Sequence, residues 1–163
     1  DRVIGMIVSD NFDNNVLTIS KFGMAKRTRL GSGQMINQYE ENGQKVVDES
    51  GEDVFERDGY RKTNRGTKGV RTMALNEGDE IISVRQIPNL SDQLFMLTKS
   101  GMMIRLAANQ TKETRGKVAK GTRIMELRNK DKTGYNDEII FVARLPSELI
   151  EENNDDDSSE EEE

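Results

Sequence analysis

The chain has 163 residues, 33% hydrophobic and 33% charged, enough for one domain with a modest core. It contains neither cysteine nor histidine, which excludes disulfides, thiolate metal sites, a cysteine nucleophile and the commonest general base. The formal charge of −6 is unevenly spread: residues 151–163 hold nine acids and no base, so residues 1–150 carry 24 bases against 21 acids. Setting aside the acidic stretch 31–55 as well leaves 23 bases against 15 acids. A basic body of this kind predicts a polyanionic partner. No apolar run approaches the roughly 20 residues of a membrane span, so no membrane partner is expected.

Residues 1–14 open with "RVIGMIV", which reads as the last strand of a preceding unit followed by a linker. Residues 15–90 then read as strand, glycine turn, strand, basic glycine loop, strand, acidic turn, strand. Residues 91–150 repeat that order. "VLTISKFGMAKR" from Val16 matches "LFMLTKSGMMIR" from Leu94, "KGVRTMAL" from Lys68 matches "KGTRIMEL" from Lys120, and "EIISVRQI" from Glu80 matches "EIIFVARL" from Glu138. No long 3.6-residue apolar period is present, so almost no helix is expected.

The two copies differ in length. Gly23 and Gly101 are 78 residues apart, whereas Lys68 and Lys120 are 52 apart, which places an insert at about 31–58 in the first copy. Glu41-Asn42-Gly43 inside it is a hairpin signal, predicting a small polar hairpin or a loop. Units of four short strands predict an all-β, propeller-like fold of about two four-stranded blades, an incomplete ring with other blades upstream. Met73, Met96, Met102, Met103 and Met125 are expected to fill the core. The tail 151–163 has too little apolar surface to fold and is expected to be disordered.

The glycine loops around "RGTKG" and "RGKVAKG" combine positive charge with glycines that let backbone N–H groups approach a ligand. Arg65 and Lys68 in the first loop, and Arg115, Lys117 and Lys120 in the second, are therefore candidate phosphate contacts. Lys26, Arg27 and Arg29 follow the first hairpin glycine, Arg105 follows the second, and Arg71 and Arg123 occupy equal positions in the third strand of each unit. Basic positions repeated on successive blades suit a curved duplex. With five Phe and three Tyr, stacking of single-stranded bases is not expected. No catalytic residue and no metal site emerges; Tyr39, Tyr60 and Tyr135 lie in turn- or insert-like contexts.

"VLTISKFGMAKRTRL", "RGTKGVRTMAL" and "GDEIISVRQI", then "DQLFMLTKSGMMIRLAANQ", "TRGKVAKGTRIMEL" and "DEIIFVARL", with the acidic tail, resemble the C-terminal domain of the DNA gyrase A subunit, specifically its last two blades. The related domain of topoisomerase IV has similar blades. The resemblance implies a disc-like β-pinwheel that wraps duplex DNA around a basic rim without reading sequence. It further implies a holoenzyme that adds negative supercoils with ATP and Mg²⁺, neither of them a cofactor of this chain. The implied partners are the gyrase B subunit and a second A subunit, engaged through an N-terminal part not contained here, and the implied place is the bacterial cytoplasm, at the nucleoid. The resemblance also implies that the acidic tail competes with DNA for the rim. The "QRRGGKG"-like box of gyrase is missing, "NRGTKG" and "TRGKVAKG" being degenerate relatives, so gyrase and topoisomerase IV both stand on motif grounds, and the tail favours gyrase. The reading from another class is a propeller that binds protein rather than nucleic acid.

Overall fold

The computed structural model describes residues 2–40, 42–114 and 119–150. The first sheet is built on β1 (Asn15–Ser20). Its residues from Val16 to Ser20 are all buried, because β1 is hydrogen-bonded on both edges and covered on both faces. One edge meets β2 (Met24–Arg29) across the turn at Gly23, the other meets β5 (Ile81–Ile87), and both pairings are antiparallel. Leu17 and Ile19 point into the common core with Ile87, while Thr18 faces the crossing segment through a 3.0 Å Thr18–Thr72 hydroxyl contact. Burying a leucine in this way contributes about 1.5–3 kcal/mol.

The second unit forms a sheet in the order β7 (Met103–Ala107), β6 (Gln93–Thr98), β9 (Ile139–Leu145), with a 3-10 turn at Ala108–Gln110. The repeat extends to detail. The register shifts between Ile19 and Ser20 in β1 and between Leu97 and Thr98 in β6. In the first turn the Phe22 amide donates to Asp79 and the Ser20 hydroxyl to the same carboxylate; in the second, the Ser100 amide and hydroxyl donate to Asp137. Lys21 and Lys99 amides donate to the carbonyls of Glu80 and Glu138 respectively.

The fold is all-β with open, propeller-like sheets, but its four-stranded sheet is not one continuous unit. The order is β5-β1-β2-β8, and β8 (Thr122–Arg123) comes from the second unit. A unit therefore lends its third strand to its neighbour instead of keeping all four strands. Gly121, at φ 82°, makes this possible: a Cβ there would lie 2.2 Å from the Ala25 carbonyl oxygen. The equivalent first-unit segment from Lys68 to Leu75 is not in a strand; it crosses the first sheet and donates the Ala74 amide to Ala119.

The two sheets share one core. Leu17, Ile19, Ala25 and Ile87 join Leu94, Met96, Ile139 and Val142 in a single cluster. Phe22 stacks on Tyr135 at 3.9 Å between ring centroids, Ile139 donates its amide to Lys21, and Arg85 donates to the Val142 carbonyl. Met73 and Met96 are core residues and Met125 packs partly against the core, but Met102 and Met103 are 60% and 61% exposed, which corrects the expectation for those two. Both follow Gly101, and Met103 starts β7, whose outer edge carries no strand among the described residues.

The insert forms a small closed structure. β3 (Met35–Asn37) pairs with β4 (Phe55–Arg57), and two further hairpins lie between them, bridged at Tyr39–Lys45 and Val47–Asp53. Gln38, Val46 and Val54 recur every eight residues and close a ring of backbone bonds: Gln38 donates to Val54, Val54 to Val46 and Val46 to Gln38, at 2.8–2.9 Å. Gly43 and Gly51 make the intervening turns at φ 83° and 82°. Residues 2–14 contain no strand, and Val3, Met6 and Val8 are exposed. The expectations for the tail fall outside the described residues.

Candidate nucleic-acid interface

The eleven cations singled out from the sequence separate into three groups. Lys26 and Arg27 are buried, at 2% and 7% exposure. Lys26 donates to the Thr72 carbonyl at 2.6 Å, and burial pulls its pKa below the ordinary lysine value. Arg27 donates from Nε to the Thr111 carbonyl at 2.8 Å and from its Nη1 to Asn15 at 3.1 Å, with Glu113 at 3.5 Å. Arg29 is half-buried and pairs with Asp13, whose hydrogen bond raises the guanidinium pKa further, and with Asp58 at 4.0 Å. These three hold the first sheet to its neighbours. A strand position that faces inward looks identical, in sequence, to one that faces out.

Six others are exposed: Arg65, Lys68, Arg71, Arg105, Lys120 and Arg123. Arg105 lies over the Phe95 ring at 5.7 Å, Lys120 donates to Asn76 at 3.0 Å, and Arg123 to Glu126 at 2.6 Å. Glu126 also accepts from Arg128, and first that bond, then the one from Arg123, hold its carboxyl well below the usual range. Arg115 and Lys117 lie outside the described residues.

The first basic loop is the best-defined element. It leaves the sheet at Tyr60 and returns at Thr72, whose hydroxyls meet at 2.6 Å, and the Tyr60 amide donates to the Leu30 carbonyl. Between these anchors stand Arg61, Lys62, Arg65, Lys68 and Arg71, with no acid. Arg61 and Lys62 were missed by the sequence reading, which matched the loop to its repeat partner and so began it at Arg65. Their proximity to Arg65 was the available signal. Lys62 lies over the Phe12 ring at 5.5 Å, a contact that no sequence pattern announces. Gly66 and Gly69 turn the loop at φ 79° and 75°, with open space where a Cβ would be. A clamped loop of five cations and exposed backbone amides can hold several phosphates but supplies neither a nucleophile nor a base.

Hairpins repeated in tandem, a third strand given to the neighbour and cationic glycine loops between strands define a propeller-like class of β domain. The family model described as "DNA gyrase C-terminal domain, beta-propeller" matches residues 14–32, 54–88 and 92–133. The chain belongs to that family of type II topoisomerase domains. The matched segments pass over residues 33–53, most of the insert ring. The DNA gyrase A subunit of Campylobacter jejuni is 29% identical over 153 residues, covering 93% of this chain and 14% of that protein. Its counterpart from Helicobacter pylori J99 is 25% identical over 149 residues, covering 91% of this chain and 14% of its own length. The chain thus spans about one-seventh of the length of each of these two relatives. Among solved structures, the E. coli ParC C-terminal domain is similar at TM-score 0.49 and 18% identity, covering 84% of this chain and 43% of that one. No helix among the described residues is long and apolar enough to cross a membrane.

Proposed function

We propose that this chain binds duplex DNA without reading its sequence and, within a gyrase A subunit, bends the duplex around its blades so that the holoenzyme introduces negative supercoils. The observation that carries this reading is the Tyr60–Thr72 clamp under a loop of five cations and no acid. Bending 20–30 base pairs through a moderate angle costs about 1–6 kcal/mol, which several phosphate contacts per blade must offset. Arg65, Lys68 and Arg71, with Arg61 and Lys62, supply them from the first unit; Arg105, Lys120 and Arg123, with Arg115 and Lys117, supply them from the second. Lys26, Arg27 and Arg29 position these elements from within. The ATP and Mg²⁺ of the reaction belong to other parts of the parent assembly, as do the contacts with the B subunit and a second A subunit. A chromosomal substrate places the parent in the bacterial cytoplasm.

The test is a duplex gel-shift titration of the chain at several salt concentrations and on unrelated sequences. Binding that weakens steeply with salt and equally on every sequence is expected. No binding at low salt would leave a protein-binding propeller as the better reading.

A further inference from the structure

The insert ring and the basic loop share one base. The ring leaves the sheet through Gly31 and Gly33 and returns at Asp58, Gly59 and Tyr60, and the loop starts at that same Tyr60. The junction is closely bonded. Gly33 donates its amide to Asp58, Asp58 donates to Gln34, and the Ser32 amide donates to the Asp58 carboxylate at 2.8 Å. A Cβ at Gly31 would lie 2.4 Å from the Asp58 carbonyl oxygen, and one at Gly59 2.1 Å from that of Leu30, so neither chain can swing without opening the contact.

The two excursions carry opposite charge. Residues 35–57 hold seven acids against Lys45 and Arg57. Both cations are engaged inside the ring or at its base: Lys45 pairs with Asp53 at 2.8 Å, and Arg57 donates to the Gly33 carbonyl at 2.6 Å. The ring's remaining charge is therefore mainly anionic, and the ring is joined through Tyr60 to the loop that carries the five cations of residues 61–71. Glu40, Glu49 and Glu52 are exposed on its turns. Charges so placed act over about 8–10 Å at physiological ionic strength, comparable to the width of a duplex groove.

Resting on the duplex-binding reading of the loop, we propose that the ring is an electrostatic barrier that sets one border of the DNA path. Phosphates are drawn to the cations of residues 61–71 and turned away on the ring side, so the duplex leaves the first blade in one direction. The ring is thus a positioning module: it touches no DNA, and its effect is on where the contact ends.

The experiment compares the full chain with the triple variant Glu40→Gln, Glu49→Gln, Glu52→Gln. The ring is closed by backbone bonds, and glutamine retains the acceptor that Glu40 offers Asn42, so folding should be unchanged, as checked by thermal melting. Hydroxyl-radical footprinting on an end-labelled duplex, fixed in position and orientation by one disulfide from Thr63→Cys (the chain has no other cysteine) to a thiol-bearing nucleotide, reads the border, and a salt series on the untethered chain reads affinity. The expected result is a footprint lengthened at one end only, with affinity raised roughly three- to tenfold at low salt and converging on wild type as salt rises. A footprint of unchanged length overturns the barrier, including when affinity rises, since the three acids would then act only through net charge. A wild-type chain that protects no DNA overturns the duplex reading itself and the barrier with it, whereas protection with an immovable border overturns the barrier alone.

Discussion

Arg123 lies directly opposite Met24 in an antiparallel ladder, although the two belong to different repeats of the sequence. Through this pairing the second unit completes the first unit's sheet, and Thr122 pairs with Ala25 in the next register position. The Ile124 amide extends the contact to the Gly23 carbonyl at 2.9 Å, and Thr114 donates to Arg27 further along the same edge. The blades are joined by backbone hydrogen bonds as well as by side-chain packing.

Gly121 is the weak point of that join. Gly121→Ala places a Cβ against the Ala25 backbone and forces a left-handed conformation on a non-glycine residue. The conformational cost alone is about 1–3 kcal/mol, and the clash adds to it. Gly66→Ala, also left-handed but in open space, should show only the conformational cost. Urea denaturation of both variants, with amide exchange at Met24 and Ala25, is the measurement. Equal destabilisation by the two would mean that the close approach at Gly121 is relaxed in solution.

Asp137 makes the second turn acid-sensitive. Hydrogen bonds from Ser100 first, then Thr98, lower its pKa from 3.8 to about 2. A carboxylate with a depressed folded pKa contributes its stability fully above the unfolded value and loses it as pH falls through the folded one. The wild-type melting temperature should therefore drop between about pH 4 and pH 2, and Asp137→Asn should flatten part of that drop while lowering stability at neutral pH. A variant whose melting temperature tracks wild type through the whole window would remove Asp137 as the source of the acid sensitivity.

Buried and exposed cations should behave differently. Arg27→Ala removes charge-assisted hydrogen bonds to the Thr111 carbonyl and Asn15, each about 1.5–3 kcal/mol in such a setting. Arg65→Ala should change stability by less than about 0.5 kcal/mol, yet reduce the slope of log affinity against log salt by about 1. Chemical denaturation and the salt series separate the two effects. A stability loss at Arg65 would place it in the scaffold.

The insert ring should be removable. Gly33 and Asp58 are already hydrogen-bonded at 2.8 Å, so residues 34–57 can be replaced by a two-residue Asn-Gly turn without moving the sheet. Surface insertions cost little loop entropy, about 0.6 kcal/mol per doubling of length, and stability should stay within about 1 kcal/mol of wild type. A chain that no longer folds after the excision would show that the ring supports the blade.

Local signals carried the strand content and the repeat. Alternating apolar residues, glycines at the turns and the acidic pair after each third segment mark both units because hairpins are made by neighbours in sequence. The insert's own period was equally present, in Gln38, Val46 and Val54 and in Gly43, Gly51 and Gly59, but it appears only when the stretch is compared with itself and not with the second unit. Tertiary structure alone decided which strand β2 would accept, since Lys68–Leu75 and Lys120–Leu127 carry nearly the same pattern, yet it is Thr122–Arg123 that pairs with β2, with Gly121 packed against Ala25. It also decided which cations face solvent. Lys26 and Arg27 lie in a basic run like Arg29 and the loop residues, but β2 is covered on both faces by segments remote in sequence, and those segments bring the Thr72 and Thr111 carbonyls that bind the two side chains inside.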